Sequence, residues 1–331
     1  MVSDTGLTPA APVPMSVRAL AAARRGSVLI GFIALCVFFS LFAPSFASPS
    51  NALNIVTQGV ILTFCAMALT LVITAGGIDL SIGVSFDFAA MTAVSLLVAH
   101  VPWPIALVAG LGMGTAVGVF NALMIVKLGI SPFLATLGML FIGQSVQKIY
   151  TTGGAPIYVA VMDPAYRFLG NGKLFGVLPF SVIIVAVVVV VMFVLIERMT
   201  HGRRWRALGA QPEAARISGI AVDLYGSTAY IVAAFVSALA GIILSSSLSS
   251  YVPISGGAYL MDAIGATFIG TAVDPEGRPN VPGTLLGVLF LGVLANGLNL
   301  IGINFYWQAV ARGVLIFLAL VLGAMNRRRQ N

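Results

Sequence analysis

Charge is what this sequence has least of. Only 8% of its 331 residues are Asp, Glu, Lys or Arg, against 59% apolar, and the mean hydropathy is +1.05. A soluble chain carries roughly 25% charged residues. So few charges exclude a water-facing surface over most of the molecule, and the solvent is mostly lipid. Hydrocarbon offers backbone N–H and C=O groups no partner, which leaves helices or closed barrels. Continuous apolar runs such as Ser181–Ile196 lack the alternation of a barrel strand, so the chain is helical.

Cysteine and histidine are nearly absent. Cys36 and Cys65 form no C-x-x-C pair and lie in apolar runs, where a thiol is a small packing group. The two histidines, His100 and His201, belong to no H-E-x-x-H, and there is no G-x-S-x-G. Metal, cofactor and serine chemistry therefore have no motif to stand on, and the expectation is no metal, no cofactor and no catalytic residue. Also missing is G-x-x-x-x-G-K-[ST], which excludes ATP binding by that route. The net charge of +7 comes from basic residues in short loops and tails. That is the positive-inside pattern rather than a nucleic-acid footprint.

What is present is a series of apolar segments. Residues 1–26, rich in Ala and Pro and ending in Arg24-Arg25, read as a disordered cytoplasmic tail. Ser27–Phe42 with Ser45-Phe46-Ala47 resembles a cleavable signal, but another span follows, so it reads as an uncleaved first helix. Further spans are expected at Ile55–Thr74, Ser81–Ala99, Ile105–Val126, Pro132–Tyr150, Phe180–Glu197, Tyr225–Ser246, Tyr259–Val273, Thr284–Gly302 and Tyr306–Ala324. Most reach the roughly 17–25 residues a crossing needs. The chain is thus an all-α polytopic membrane protein of about ten transmembrane helices over 27–325, followed by a basic tail, 326–331. With the N-terminus inside, 13 basic residues fall on the cytoplasmic side and two, Arg167 and Lys173, outside. Both termini are therefore expected in the cytoplasm.

A faint internal repeat is legible. Gly76-Gly77-Ile78-Asp79 is echoed by Gly256-Gly257 and Asp262, and Gly118, Asn121 and Gly129–Phe133 by Gly292, Asn296 and Gly302–Tyr306. On this span count the halves enter the membrane in opposite directions, an inverted-repeat core.

The most informative loop lies near 203–222. Arg203, Arg204 and Arg206 open it, and Pro212 stands where the first turn of a helix needs no N–H. Glu213 at that helix's start and Arg216 toward its end suit the helix dipole. Ala207, Leu208, Gly209 and Ala210 permit close approach. Anionic lipid headgroups explain the arginines. They leave the small, turn-forming and acidic series unexplained, which reads as a protein-docking helix.

Here a resemblance becomes specific. Ala75–Gly83, Ala207–Ile220, Pro282–Gly287 and Asn296–Leu300 are similar, in matching order, to signatures of the ribose/xylose/autoinducer-type ABC permeases. The resemblance runs from about residue 50 to 322. It implies an ABC type II importer-like permease of a bacterial inner membrane and a dimer of permease subunits, homo- or heterodimeric. It implies ABC ATPase subunits inside and a periplasmic substrate-binding protein outside. It also implies an ATPase-coupling helix within 207–220, to which Leu208, Gly209, Ala210, Pro212, Glu213 and Arg216 would belong. Amino-acid permeases of the wider group usually lack the Gly-Gly-Ile-Asp-Leu-Ser run, which favours a sugar-like substrate.

Polar residues inside spans complete the candidates, since a charge there costs at least about 2.5 kcal/mol. Asp79, beside Gly76 and Gly77, is expected to accept N–H groups where a helix restarts before Ser81, with direct sugar contact as the alternative. Asp87, between Phe86 and Phe88, departs from the family's usual small apolar residue. Three readings stand: it faces the pathway and accepts sugar hydroxyls, it pairs with a buried base such as Lys127, or it is partly protonated. Asn121, Gln144, Thr267, Asn296 and Asn299 either glue helices together or line the pathway. Arg312 either snorkels outward or meets the binding protein. The expected function is a non-enzymatic permease working by alternating access, with a gradient-driven secondary transporter as the rival.

Overall fold

A computed structural model describes residues 15–274 and 276–328 of the chain. All ten segments expected to be spans are helices. They are α1 (Met15–Phe42), α2 (Pro49–Thr74), α3 (Ile82–Val98), α4 (Trp103–Ala122) and α5 (Pro132–Tyr150). A short helix, α6 (Pro164–Asn171), precedes α7 (Phe180–Phe193). The loop read as a docking site folds into α8 (Thr200–Ala210) and α9 (Pro212–Ile217), followed by α10 (Val222–Leu248), α11 (Ser255–Val273), α12 (Val281–Leu300) and α13 (Phe305–Arg328). By length and composition, five described segments suffice to cross a bilayer: Pro49–Thr74, Trp103–Lys127, Phe180–Arg198, Val222–Leu248 and Val281–Leu300. The second and third continue α4 and α7 through π-helical turns at Leu123–Lys127 and Val194–Arg198.

The largest differences from expectation are at the starts of α1, α2 and α11. α2 begins at Pro49 rather than Ile55, capped by Ser48, whose hydroxyl accepts from the Asn51 N–H. α1 begins at Met15, within the stretch expected as a disordered tail, because Ala19 and Ala21–Ala23 favour helix. Residues 1–14 of that tail, and 329–331 of the basic C-terminal one, lie outside the described residues. α11 begins at Ser255 rather than Tyr259, through a Gly-Gly pair that reads locally as a helix breaker.

Burial separates the helices by role. The most apolar window of α2 is 78% buried, whereas that of Phe180–Arg198 is more hydrophobic yet only 22% buried. α2 is thus the central pillar, and α7 faces outward as a lipid-exposed helix does. Around the pillar the packing is reciprocal: α3 and α4 pack on each other and on α10, while α11 and α12 pack on each other and on α2. Corresponding lengths agree, 26 and 27 residues for α2 and α10, 17 and 19 for α3 and α11, 20 and 20 for α4 and α12. Small residues make these crossings close. Buried hydroxyls fasten one of them, with Thr70 Oγ1 2.8 Å from Thr284 Oγ1 and 3.4 Å from Thr267 Oγ1.

Candidate functional site

The α8–α9 segment, expected from its sequence to dock a partner and termed the docking segment, is anchored on one face and exposed on the other. Trp205, Leu208 and Ala215 are buried, and Trp205 Nε1 donates to the Tyr225 carbonyl at 2.9 Å. The Arg204 guanidinium donates to the Tyr225 hydroxyl and lies over its ring. Glu197 ties three elements together, accepting from Arg206 and from the Val281 N–H at the start of α12. Gln211, with φ −154° and ψ 95°, breaks the helix, and Pro212 opens α9. Glu213 and Arg216 point into solvent, where the Arg216–Asp223 pair, at 3.7 Å and well exposed, contributes little. Ile217 is 88% exposed beside them. A large apolar side chain exposed beside Glu213 and Arg216 suits a protein partner. Sequence reading passed over Ile217, although its position between Arg216 and Ser218 was a usable signal.

Gly209 joins two motifs that the sequence keeps more than a hundred residues apart. A Cβ on Gly209 would strike the Thr74 carbonyl oxygen and stand 2.8 Å from the Gly76 nitrogen. A Cβ on Gly76 would stand 2.7 Å from the Gly209 Cα, and Gly76 also has φ +83°, open to glycine but strained for other residues. The docking segment therefore rests, backbone on backbone, on the elbow between α2 and α3. On one side of this contact lies a basic cavity of about 500 Å³ lined by Arg203, Arg206 and Arg278.

Beyond the elbow, α3 starts on a polar cluster. Asp79 Oδ1 accepts from the Ser81 N–H at 2.8 Å and from the Ser81 hydroxyl at 2.7 Å, and Asn121 Nδ2 donates to Ser81 Oγ at 2.6 Å. Two residues further on, α3 crosses α11. A Cβ on Gly83 would stand 2.9 Å from the Gly256 carbonyl carbon, and each glycine is the second residue of its helix. Two helix N-termini, each carrying a partial positive charge, are thereby buried against each other. Asp87 supplies the acceptor that α11 needs: its Oδ1 takes the Gly256 N–H at 2.9 Å and the Ser255 hydroxyl at 3.1 Å. The preceding turn is held by Gln147, whose Oε1 accepts from Tyr251 Oη and the Ile254 N–H.

Asp87 therefore has a helix N-terminus, rather than Lys127, as its counter-charge. Truncating it leaves a buried N–H and a half-buried hydroxyl without their acceptor, at about 1–3 kcal/mol. We expect Asp87→Ala to lower the thermal midpoint of the purified permease and Asp87→Asn, which keeps an acceptor oxygen, to restore most of it. Equal midpoints for wild type and Asp87→Ala would sink the assignment.

The other candidates are placed as follows. Phe86 is fully buried, with its ring 5.9 Å from that of Tyr259, and Phe88 is buried in a cluster with Val84 and Tyr251. Asn296 exchanges two amide hydrogen bonds with Asn51, at 2.9 and 3.0 Å, fastening α12 to the start of α2. Asn299 is exposed, one turn further along α12. Arg312 is engaged with Asp262 at 2.6 Å.

A bundle of long apolar helices, with α8 and α9 seated on an interrupted helix pair, is the architecture of a polytopic membrane protein. The chain belongs to the family described as branched-chain amino acid transport system, permease component, which matches residues 51–320. It is 36% identical over 293 residues to the ribose import permease protein RbsC of Bacillus subtilis (strain 168), covering 88% of this chain and 90% of that one. With RbsC of Escherichia coli (strain K12) the identity is 33% over 296 residues, 89% and 92% of the two chains. With the galactose/methyl galactoside import permease protein MglC of the same strain it is 28% over 326 residues, 93% and 96%. No solved structure gives a significant match.

Proposed function

We infer that this chain is the permease subunit of an ATP-driven ABC importer for a sugar or sugar-like solute, in a bacterial inner membrane. The observation that carries this is its similarity, over nearly its whole length, to ribose import permeases. Family membership selects the ATP-driven reading over a gradient-driven carrier. The helix crossing is consistent with a neutral substrate: the buried start of α11 faces Asp87 and that of α3 lies beside Asp79, so neither offers an uncompensated positive end to a carboxylate.

In this reading ten helices span the bilayer with both termini cytoplasmic, and the matched lengths and reciprocal packing of α2–α4 and α10–α12 support an inverted repeat. Two permease subunits form the pathway, loaded from outside by a binding protein. ATPase subunits press on Leu208–Arg216 from inside. The route for that force is contiguous: Gly209 bears on Gly76, the elbow carries the start of α3, and Gly83 bears on Gly256 at the start of α11. Alternating access then amounts to rocking one helix set against the other. Asp87, between Phe86 and Phe88, sets the α3–α11 crossing, and through it the shape of the pathway and the choice of substrate. Asn121 and Asn296 hold its walls, and Asn299 is the pathway residue that stands free to meet solute.

The test is subunit composition. Wild-type permease purified in mild detergent from its native membrane should carry a stoichiometric ATPase, identified by mass spectrometry. Glu213→Arg, at an exposed site, should lose it while staying monodisperse. Monodisperse wild type without an ATPase would overturn the reading.

A further inference from the structure

One buried corner of the bundle is left unsatisfied, and it adjoins the docking segment. Tyr230, in the first third of α10, is 4% exposed, and its hydroxyl packs on Gly77 of the elbow. That hydroxyl has no hydrogen-bond partner among the described residues. Neither has Asp79 Oδ2, nor Asn121 Oδ1, both on side chains with no exposure at all. Asp79 stands two residues beyond Gly77 on the same elbow. One orphaned donor thus packs on the elbow that carries an orphaned acceptor, and a second orphaned acceptor is linked to the first through Ser81. Leaving such groups unpaired in an apolar interior is costly, and natural cores rarely tolerate several in one place.

The surroundings indicate what brings them together. A cavity of about 350 Å³ is lined by Leu208, Pro212 and Arg216 of the docking segment together with Gly76, Gly77 and Tyr230 of this corner. Pressing the docking segment into the bundle closes this cavity and moves the elbow, since Gly209 already touches Gly76. The elbow carries both Gly77 and Asp79, so the same movement changes the Tyr230–Asp79 separation.

We propose that the Tyr230 hydroxyl is the moving half of a hydrogen-bond switch, unpaired in the state seen here and donating to Asp79 Oδ2 when the docking segment is driven inward. Tyr230 is then a positioning residue for coupling: it makes no contact with solute and favours the driven state over the resting one. The inference rests on the transport reading above and adds the element that reads the ATPase stroke.

Tyr230→Phe tests it, because the ring and its packing on Gly77 remain and only the hydroxyl is lost. In proteoliposomes holding the permease with its co-purified ATPase, the binding protein and ribose or galactose are supplied, whichever sugar the wild type imports. The variant should assemble in wild-type yield, with an unchanged or higher thermal midpoint, because no hydrogen bond of the resting state is removed. ATP hydrolysis should persist while sugar imported per ATP falls about tenfold, the shift produced by losing one charge-assisted hydrogen bond in one state only. Wild-type import per ATP would overturn the switch. So would failure to assemble, the mark of a hydroxyl needed by the fold itself. A wild-type preparation without ATP-driven uptake would overturn the transport reading beneath it.

Discussion

Gly209→Ala is expected to abolish import. Local propensity argues the other way, since Gly209 lies within α8 and alanine is favoured over glycine in a helix by about 1 kcal/mol. Packing decides. The added methyl would strike the Thr74 carbonyl oxygen, with the Gly76 nitrogen at 2.8 Å and the Ala75 carbonyl carbon at 3.1 Å. All three are backbone atoms of the α2–α3 elbow, so no rotamer change relieves the clash. Overpacking against fixed structure costs about 1–3 kcal/mol, and about 1.4 kcal/mol is tenfold in an equilibrium. The seated position of the docking segment should be depopulated about tenfold or more. Gly138→Ala is the control: Gly138 also lies in a helix, and a Cβ there meets nothing within 4 Å. Radiolabelled sugar uptake, normalised to permease in the membrane, should collapse for Gly209→Ala and hold for Gly138→Ala. Full uptake by Gly209→Ala would show that α8 need not touch the elbow.

The same contact marks the limit of what the sequence discloses. Each partner was visible alone: Gly76-Gly77 as a helix break, and Gly209 as a small residue ahead of Pro212. Their contact was not, because hydropathy and turn chemistry report local backbone preference and carry no information about which loops share a face. The helices themselves were legible for the complementary reason. In lipid a segment must satisfy its own backbone, so its length and composition suffice to find it. α11 escaped at its start because the acceptor that permits a buried helix end, Asp87, is 168 positions away in sequence from Ser255. Asn296 likewise read as a lone polar group, since its partner Asn51 is 245 positions away. The two glycine pairs read as echoes of each other do not meet in the fold. At the crossing Gly256 faces Gly83, each the second residue of its helix, whereas Gly76-Gly77 occupies the elbow before α3.

Asp262 and Arg312 give the second large effect, and it is expected to be non-additive. Asp262 lies in α11 and Arg312 in α13, with Nη1 2.6 Å from Oδ2 and each side chain 21% exposed. Sequence reading placed Arg312 at the bilayer edge or against the binding protein; the pair instead fastens α13 to α11, beside the contact of Gly265 with Ile316. Removing one member of a pair in a low-dielectric setting leaves an uncompensated charge and costs about 3–5 kcal/mol, whereas replacing both by apolar groups is often neutral or stabilising. Partial exposure places the single variants toward the lower end of that range. Asp262→Leu and Arg312→Met should each lower membrane abundance and thermal midpoint, and the double variant should recover most of both. The recovery is the informative arm, because two independent surface positions would instead sum their losses. If the double variant transports sugar, the pair is a fastening and Arg312 has no separate duty at the external mouth. If it is stable but no longer accepts sugar from the binding protein, one of the two charges also serves delivery, and Asp262→Glu with Arg312→Lys, which preserves the pair, should restore it.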